Sequence, residues 1–270
     1  MSRLAILWKK KGQTIGFVPT MGALHEGHAS LIRRARKEND KVVVSIFVNP
    51  AQFGPNEDFS RYPRPFDKDR ALCAALGVDI LYHPSPEAIY PPGYKSFIEV
   101  EGLSQLWCGH FRPGHFRGVA TVVLNLFQTV SPARAYFGEK DYQQLTIIKT
   151  MARDLNLSMR VIGCQTLREK DGLAMSSRNQ YLSPSERRDA AMLYRSLCEA
   201  SEKINQGIEI ASALKAARQK ILSIPNSRID YLAAVDGLSL EEIKSPRLGA
   251  RILAAVWIGK TRLIDNIKLA

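Results

Sequence analysis

The sequence predicts an α/β protein: a Rossmann-like, doubly wound parallel sheet over residues 1–165, followed by a smaller α+β domain over residues 166–270. Three observations carry this expectation. Strand-like and helix-like stretches alternate through the first half, the rhythm of parallel strands joined by right-handed crossovers. The second half changes to two amphipathic helices followed by three strand-like pieces. The composition, 45% hydrophobic and 24% charged over 270 residues, is that of a chain able to bury a full core.

The elements follow in order. "TIGFVPT" (14–20) is a short buried strand, and "HASLIRRARKEN" (28–39) has helical periodicity. "KVVVSIFVNP" (41–50) is a β-branched strand that stops at Pro50. "DKDRALCAALG" is a helix ended by Gly77, and "VDILYHP" is the next strand. An irregular, Pro-rich stretch (84–93) precedes the helix "FRGVATVVLNLFQTV". "ARAYFGEKD" is a strand running into a loop, "QQLTIIKTMARDLN" a helix and "SMRVIGCQTL" a strand. In the tail, "SPSERRDAAMLYRSLCEASEKI" opens with a capping box: Ser183 as N-cap, Pro184 at the first helical position, Glu186 three residues on. A helix around "ASALKAARQKIL" follows. "RIDYLAAVD", "ARILAAVWIG" and "TRLIDNIKL" then read as a short antiparallel sheet.

The net charge is +12, from 38 basic and 26 acidic residues, which suits a polyanionic partner such as a nucleotide or a nucleic acid. The densest basic cluster, Arg33, Arg34, Arg36 and Lys37, falls on a predicted helix and reads as a solvated face. The four cysteines are far apart and form no CxxC pair, which fits a reducing compartment. "LAILW" before Lys9 is too short for a signal core, and no apolar run is long enough to span a membrane. The expectation is a soluble, cytoplasmic protein.

In open α/β sheets ligands sit beyond the carboxyl ends of the strands. Those ends here carry "PTMGALHEGH", "VNPAQFGPNED", "FGEKDYQQ" and "TLREKDGLAMSSRN", all rich in polar side chains. His25 and His28 are three residues apart around Gly27, whereas a zinc protease needs His at i and i+4, so no metal site is expected. They stand where a loop enters a helix, and the backbone N–H groups and helix dipole make that entry an anion site. Gly22 and Gly27 would let a phosphate approach the backbone. No GxGxxG is present, and the "GKT" at Gly259 lacks the first glycine of a P-loop. "LAMSSRN" (173–179), at the domain junction, suits a mobile loop closing over phosphates. HxGH early and a KMSKS-like loop late resemble the paired signature of the adenylyl-transferring α/β superfamily, which includes class I aminoacyl-tRNA synthetases and small nucleotidyltransferases.

Together "PTMGALHEGH", "FVNPAQFGPNEDFSRYPR", "RPGHFRGVATVV", "FGEKDYQQL", "DGLAMSSRNQYLSPSER" and "GKTRLIDNI" resemble the pantothenate synthetase (pantoate–β-alanine ligase) family, in one order over nearly the whole chain. The lead-in before the first strand is shorter than that family usually carries, which bears on its first helix and not on the site. The resemblance implies a ligase that uses Mg-ATP to adenylate pantoate and then joins it to β-alanine, giving pantothenate, AMP and pyrophosphate. It implies an ATP site of Met21, Gly22, Ala23, Leu24, His25, Glu26, Gly27, His28, Gly138, Glu139, Lys140, Asp141, Leu167, Met175, Ser176, Ser177 and Arg178. His28 would be the proton donor, His25 a phosphate contact, and Lys140 and Arg178 the cations that meet phosphate charge. Gln52, Gln144 and Asn49 would hold pantoate, with Gln52 also near β-alanine. It further implies a homodimer and a C-terminal lid hinged over 165–178. Glu26 is expected to face away from a triphosphate, which would repel it.

Two other readings compete. Another HxGH transferase, such as a truncated tRNA synthetase, has little chain left here for an anticodon-binding domain. A nucleic-acid-binding module on the +12 surface leaves the polar rim without a purpose.

Overall fold

The computed structural model describes residues 1–55 and 57–269. The chain divides into two compact units. The first comprises Met1–Gln105, Arg112–Glu139 and Gln144–Gln165, and the second Leu106–Phe111, Lys140–Gln143 and Thr166–Ala270.

The first unit is built on a parallel sheet of β1 (Ile15–Thr20), β2 (Lys41–Ile46), β3 (Ile80–Tyr82), β4 (Arg134–Gly138) and β5 (Arg160–Cys164), in the order β3-β2-β1-β4-β5. β1 is central, pairing with β2 from Ile15↔Lys41 to Thr20↔Ile46 and with β4 on its other side. Phe17, Val18, Val42, Val43 and Val44 are fully buried, as strands covered on both faces require. The connecting helices are α2 (Glu26–Glu38), α3 (Phe66–Ala75) and α6 (His115–Val130), with α7 (Tyr142–Asp154) leading to β5. The strand order reverses beside β1, so β1 and β4 form the switch point where such sheets bind ligands.

Three helices differ from or add to the sequence reading. α1 (Ser2–Lys10) forms despite the short lead-in: Ala5 is buried, Lys9 and Lys10 occupy its last turn, and cations there favour the helix dipole. α4 (Pro86–Ile89) interrupts the Pro-rich stretch, with Pro86 at its first position and Ser85 accepting from Ala88 N–H. α5 (Cys108–Phe111) is a single turn.

The second unit holds α8 (Pro184–Asn205), α9 (Ile210–Leu222) and an antiparallel sheet of β6 (Ser227–Val235), β7 (Arg251–Ile258) and β8 (Thr261–Lys268). The capping box forms: Glu186 N–H donates to Ser183 Oγ at 3.3 Å, and Ser183 N–H to the Glu186 carboxylate at 2.8 Å. Leu193, Leu197, Ile204 and Ile221 from the helices pack with Ala254, Val256 and Ile258 of β7. Leu106–Phe111 and Lys140–Gln143 precede residue 166 in the chain yet belong to this unit. Long-range hydrogen bonds explain it: Trp107 Nε1 donates to the Leu240 carbonyl at 2.7 Å, and Tyr142 Oη to the Gly237 carbonyl at 2.9 Å.

The basic cluster on α2 is largely ion-paired. Arg33 pairs with Glu26, Arg34 with Glu38, and Arg36 with Asp79. Among the described residues no helix is long and apolar enough to cross a membrane.

Candidate active site

The spacing of the two histidines has a local structural cause. His25 is the N-cap of α2 and His28 its third residue, the two positions of a capping box. Gly27 N–H donates to His25 Nδ1 at 3.1 Å, and His25 N–H donates to His28 Nδ1 at 3.3 Å. An Nδ1 that accepts from a backbone N–H carries no proton. Each ring is therefore held as the tautomer whose N–H is Nε2. The ring centroids are 4.1 Å apart. Two imidazole donors thus stand at a helix N-terminus, which itself favours an anion. Glu26, next to them, is exposed and turned to Arg33.

The loop before this cap is shaped by a carboxylate. Asp69, on α3 and 2% exposed, accepts hydrogen bonds from Ala23 N–H and Leu24 N–H, both at 2.8 Å. Gly22 and Ala23 both have positive φ, at 83° and 51°. A non-glycine residue adopts this backbone only where its surroundings fix it, and Asp69 supplies that constraint. Burial pushes the Asp69 carboxyl above its ordinary value, and the two backbone hydrogen bonds oppose the shift.

After β2, Gln52 lies in the short 3₁₀ turn Pro50–Gln52. Its Nε2 reaches Met21 Sδ at 3.1 Å, so the first and second strand ends meet there. Asn49 is 1% exposed, and its amide is engaged on both sides. Nδ2 donates to Gln52 Oε1 and to the Gly118 carbonyl, both at 3.1 Å, while Oδ1 accepts from Ala51 N–H at 3.3 Å and Tyr90 Oη at 2.8 Å. These bonds fix Asn49 against Gln52, two of the residues that the family resemblance offers for pantoate. The close approach requires glycine at 118, because a Cβ there would lie 2.2 Å from the Ala51 carbonyl oxygen.

A second support holds the same turn. His115 Nδ1 lies 2.8 Å from the Gln52 carbonyl, and Arg112 Nη2 donates to that carbonyl at 3.2 Å. Arg112 is itself fixed by Glu57 through Nε at 2.6 Å and Nη2 at 2.5 Å. Burial raises the Glu57 carboxyl, but the Arg112 hydrogen bonds and charge outweigh it and hold it below its ordinary value.

The remaining expected residues divide between the units. Gly138 ends β4, and Glu139 and Gln144 belong with it to the first unit. Gln144 is half-buried, whereas its neighbour Gln143 is buried and bonded to Leu106 O and Cys108 N. Lys140 and Asp141 belong to the second unit, with Lys140 Nζ 3.8 Å from the Asp141 carboxylate. So do Leu167, Met175, Ser176, Ser177 and Arg178. Met175 N–H donates to the Leu167 carbonyl at 3.0 Å, and Ser176 Oγ accepts from Arg178 N–H at 3.3 Å, opening the 3₁₀ turn Ser177–Tyr181. Asp69, Tyr90, Glu57, Arg112 and His115, which support these candidate residues, are not among those the sequence offers for the site. "FDKD" reads only as the start of a helix, and only "RPGHFRG", among the motifs, drew attention to Arg112 and His115.

The chain matches the family model described as Pantoate-beta-alanine ligase over residues 1–268. The chain belongs to the pantoate–β-alanine ligase family. Membership makes it a ligase, and it bears out the motif resemblance. A pantothenate synthetase of Moorella thermoacetica is 53% identical over 264 residues, covering 97% of this chain and 93% of the relative. The crystal structure of pantothenate synthetase from Thermus thermophilus superposes with a TM-score of 0.93 at 51% identity, covering 95% of this chain and 93% of that one. A pantoate–β-alanine ligase from Francisella tularensis, complexed with beta-gamma ATP and β-alanine, gives a TM-score of 0.81 at 38% identity, covering 98% of this chain and 94% of that one. These ligases share the α/β sheet and the small antiparallel domain found here.

Proposed function

We propose that this ligase condenses (R)-pantoate with β-alanine at the expense of ATP, through a pantoyl-adenylate intermediate. A pantoate carboxylate oxygen attacks the α-phosphorus, the bond to the β-phosphate oxygen breaks, and pyrophosphate leaves with the bonding electrons. The β-alanine amine then attacks the acyl carbon, the bond to AMP oxygen breaks, and the amine loses its proton as pantothenate and AMP form. The observation that carries this reading is the capping box of His25 and His28, which directs two Nε2–H donors from a helix N-terminus. Preorganised donors of this kind stabilise charge that develops on phosphate oxygens in the transition state.

The roles are those the family resemblance implies, and the chemistry agrees with them. His28 Nε2 is the donor to the transferring phosphate, with His25 beside it. Lys140 and Arg178, with Ser176 and Ser177, meet the charge that moves onto pyrophosphate. Backbone and side chains of residues 21–24, Gly138, Glu139, Asp141, Leu167 and Met175 complete the nucleotide site. Gln52 and Gln144 hold pantoate hydroxyls, since an amide both donates and accepts, and Gln52 also borders β-alanine. Mg²⁺ enters as Mg-ATP, carried by phosphate oxygens. The second unit serves as the lid that keeps the mixed anhydride from water. The protein is taken to act in the cytoplasm as a homodimer. The wide spacing of the four cysteines, with no CxxC pair, fits a reducing compartment.

ATP–pyrophosphate exchange tests the reaction. Exchange is expected only when pantoate is present. Exchange driven by an amino acid instead, or none with pantoate, would refute the assignment. Light scattering at twice the chain mass checks the dimer.

A further inference from the structure

Two adjacent side chains on β8 take no direct part in that reaction, yet each holds one of the phosphate loops of the second unit. Asp265 accepts from Arg168, Nη1 at 2.7 Å and Nη2 at 2.9 Å, and its side chain is only 1% exposed. Arg168 also donates to the Gly172 carbonyl at 3.0 Å, lies 3.6 Å over the Tyr194 ring, and bridges to Ala174. These bonds close the short hairpin that delivers residues 175–178.

Asn266, 4% exposed, does the equivalent for Lys140. Its Nδ2 donates to the Lys140 carbonyl at 3.0 Å, and its Oδ1 accepts from Arg251 Nη1 at 2.7 Å. Arg251 lies 3.9 Å over the ring of Tyr142, two residues beyond Lys140, and Tyr142 is anchored in turn to the Gly237 carbonyl. Successive side chains of a strand point to opposite faces, so neighbouring positions on one strand can hold two different loops.

We propose that Asp265 and Asn266 are positioning residues for adenylation, setting the Lys140 loop and the 175–178 loop in one register so that their cations meet the same leaving pyrophosphate. The inference rests on the adenylation reading above. Its signature is a split between half-reactions. Adenylation needs the phosphate cations in place, whereas attack of β-alanine on preformed pantoyl adenylate expels only AMP.

The decisive variant is Asn266→Asp in the full-length chain. It keeps the size and the acceptor for Arg251, but sets a carboxylate oxygen against the Lys140 carbonyl. Pantoate-dependent exchange, as kcat/KM for ATP, is expected to fall at least ~10-fold, the scale of a small misplacement of catalytic groups. Aminolysis of synthetic pantoyl adenylate is expected to stay near the wild-type rate. Unchanged exchange, or equal losses in both half-reactions, would overturn the proposal. Should Asn266→Asp fail to fold, Tyr142→Phe decides: it removes the hydroxyl that donates to the Gly237 carbonyl and keeps the ring beneath Arg251, and the same split, smaller in size, is expected. No exchange by the wild-type chain would instead overturn the adenylation reading, and this inference with it.

Discussion

The turn from His25 to His28 is held by its own backbone, whereas the Lys140 loop is held by side chains distant in sequence. In the turn, each histidine ring accepts from a backbone N–H two or three residues away. In the loop, the clasp at the Lys140 carbonyl comes from Asn266, 126 residues further on. Both regions carry donors suited to phosphate, but one is a local device and the other a tertiary one. A local device tolerates remote change and fails when its own residues change. A tertiary one fails from a distance.

His28→Ala is the sharpest way to break the local half of that comparison. It removes a donor and an N-cap acceptor together. Exchange is expected to fall at least ~10²-fold, the scale of losing one preorganised transition-state donor. Stability should fall by only about 1 kcal/mol, the worth of a cap. Kinetics and thermal unfolding on one preparation separate the two effects. Near-wild-type exchange would remove His28 from the chemistry.

Asp69→Asn should have the next largest effect. The carboxylate accepts from two backbone N–H groups, and an amide can oppose only one of them with an oxygen. The other N–H then faces an NH₂ group, at a cost of about 2 kcal/mol. Because Ala23 is held at positive φ by those bonds, the loop should relax and exchange fall ~10-fold through misplacement. An unchanged rate with a lowered melting temperature would make Asp69 purely structural.

The same contrast explains what the sequence made legible. Helices and strands with strong periodicity are where they were expected, including the α8 capping box, because each is encoded within a dozen or so neighbouring residues. The spacing of His25 and His28 at a predicted helix start is local in the same way, and the two residues cap α2 there. The motif that holds Gln52 offers Asn49 as a candidate for the same pantoate pocket. Its bonds to Gly118 and Tyr90, remote in sequence, are announced by no local pattern. The placement of Lys140–Gln143 in the second unit depends on Asn266, Arg251 and Gly237, which no local pattern connects to it. Asp69 gave no signal beyond an acidic first turn, where carboxylates commonly serve the helix dipole.

The smallest expected effect tests a tertiary support inside the first unit, and pH supplies the probe. Glu57 is paired with Arg112, with 24% and 16% of their side chains exposed. Its carboxyl lies below its ordinary value, where burial alone would have raised it and Arg112 prevails. Between the folded value and the ordinary value, the unfolded chain binds more protons than the folded one, so stability rises with pH in that window. The contribution is complete above the ordinary carboxylate value and lost as pH falls through the folded one. Glu57→Gln cannot ionise. At neutral pH it should be less stable than wild type by about 1–2 kcal/mol, for charge-assisted bonds at a partly exposed site. The gap should close on acidification, as measured by urea unfolding at a series of pH values. Because Arg112 also bonds the Gln52 carbonyl, the KM for pantoate should rise while the adenylation kcat holds. A gap that persists at acid pH would mean that the side chain's packing, and not its charge, supports the Gln52 turn.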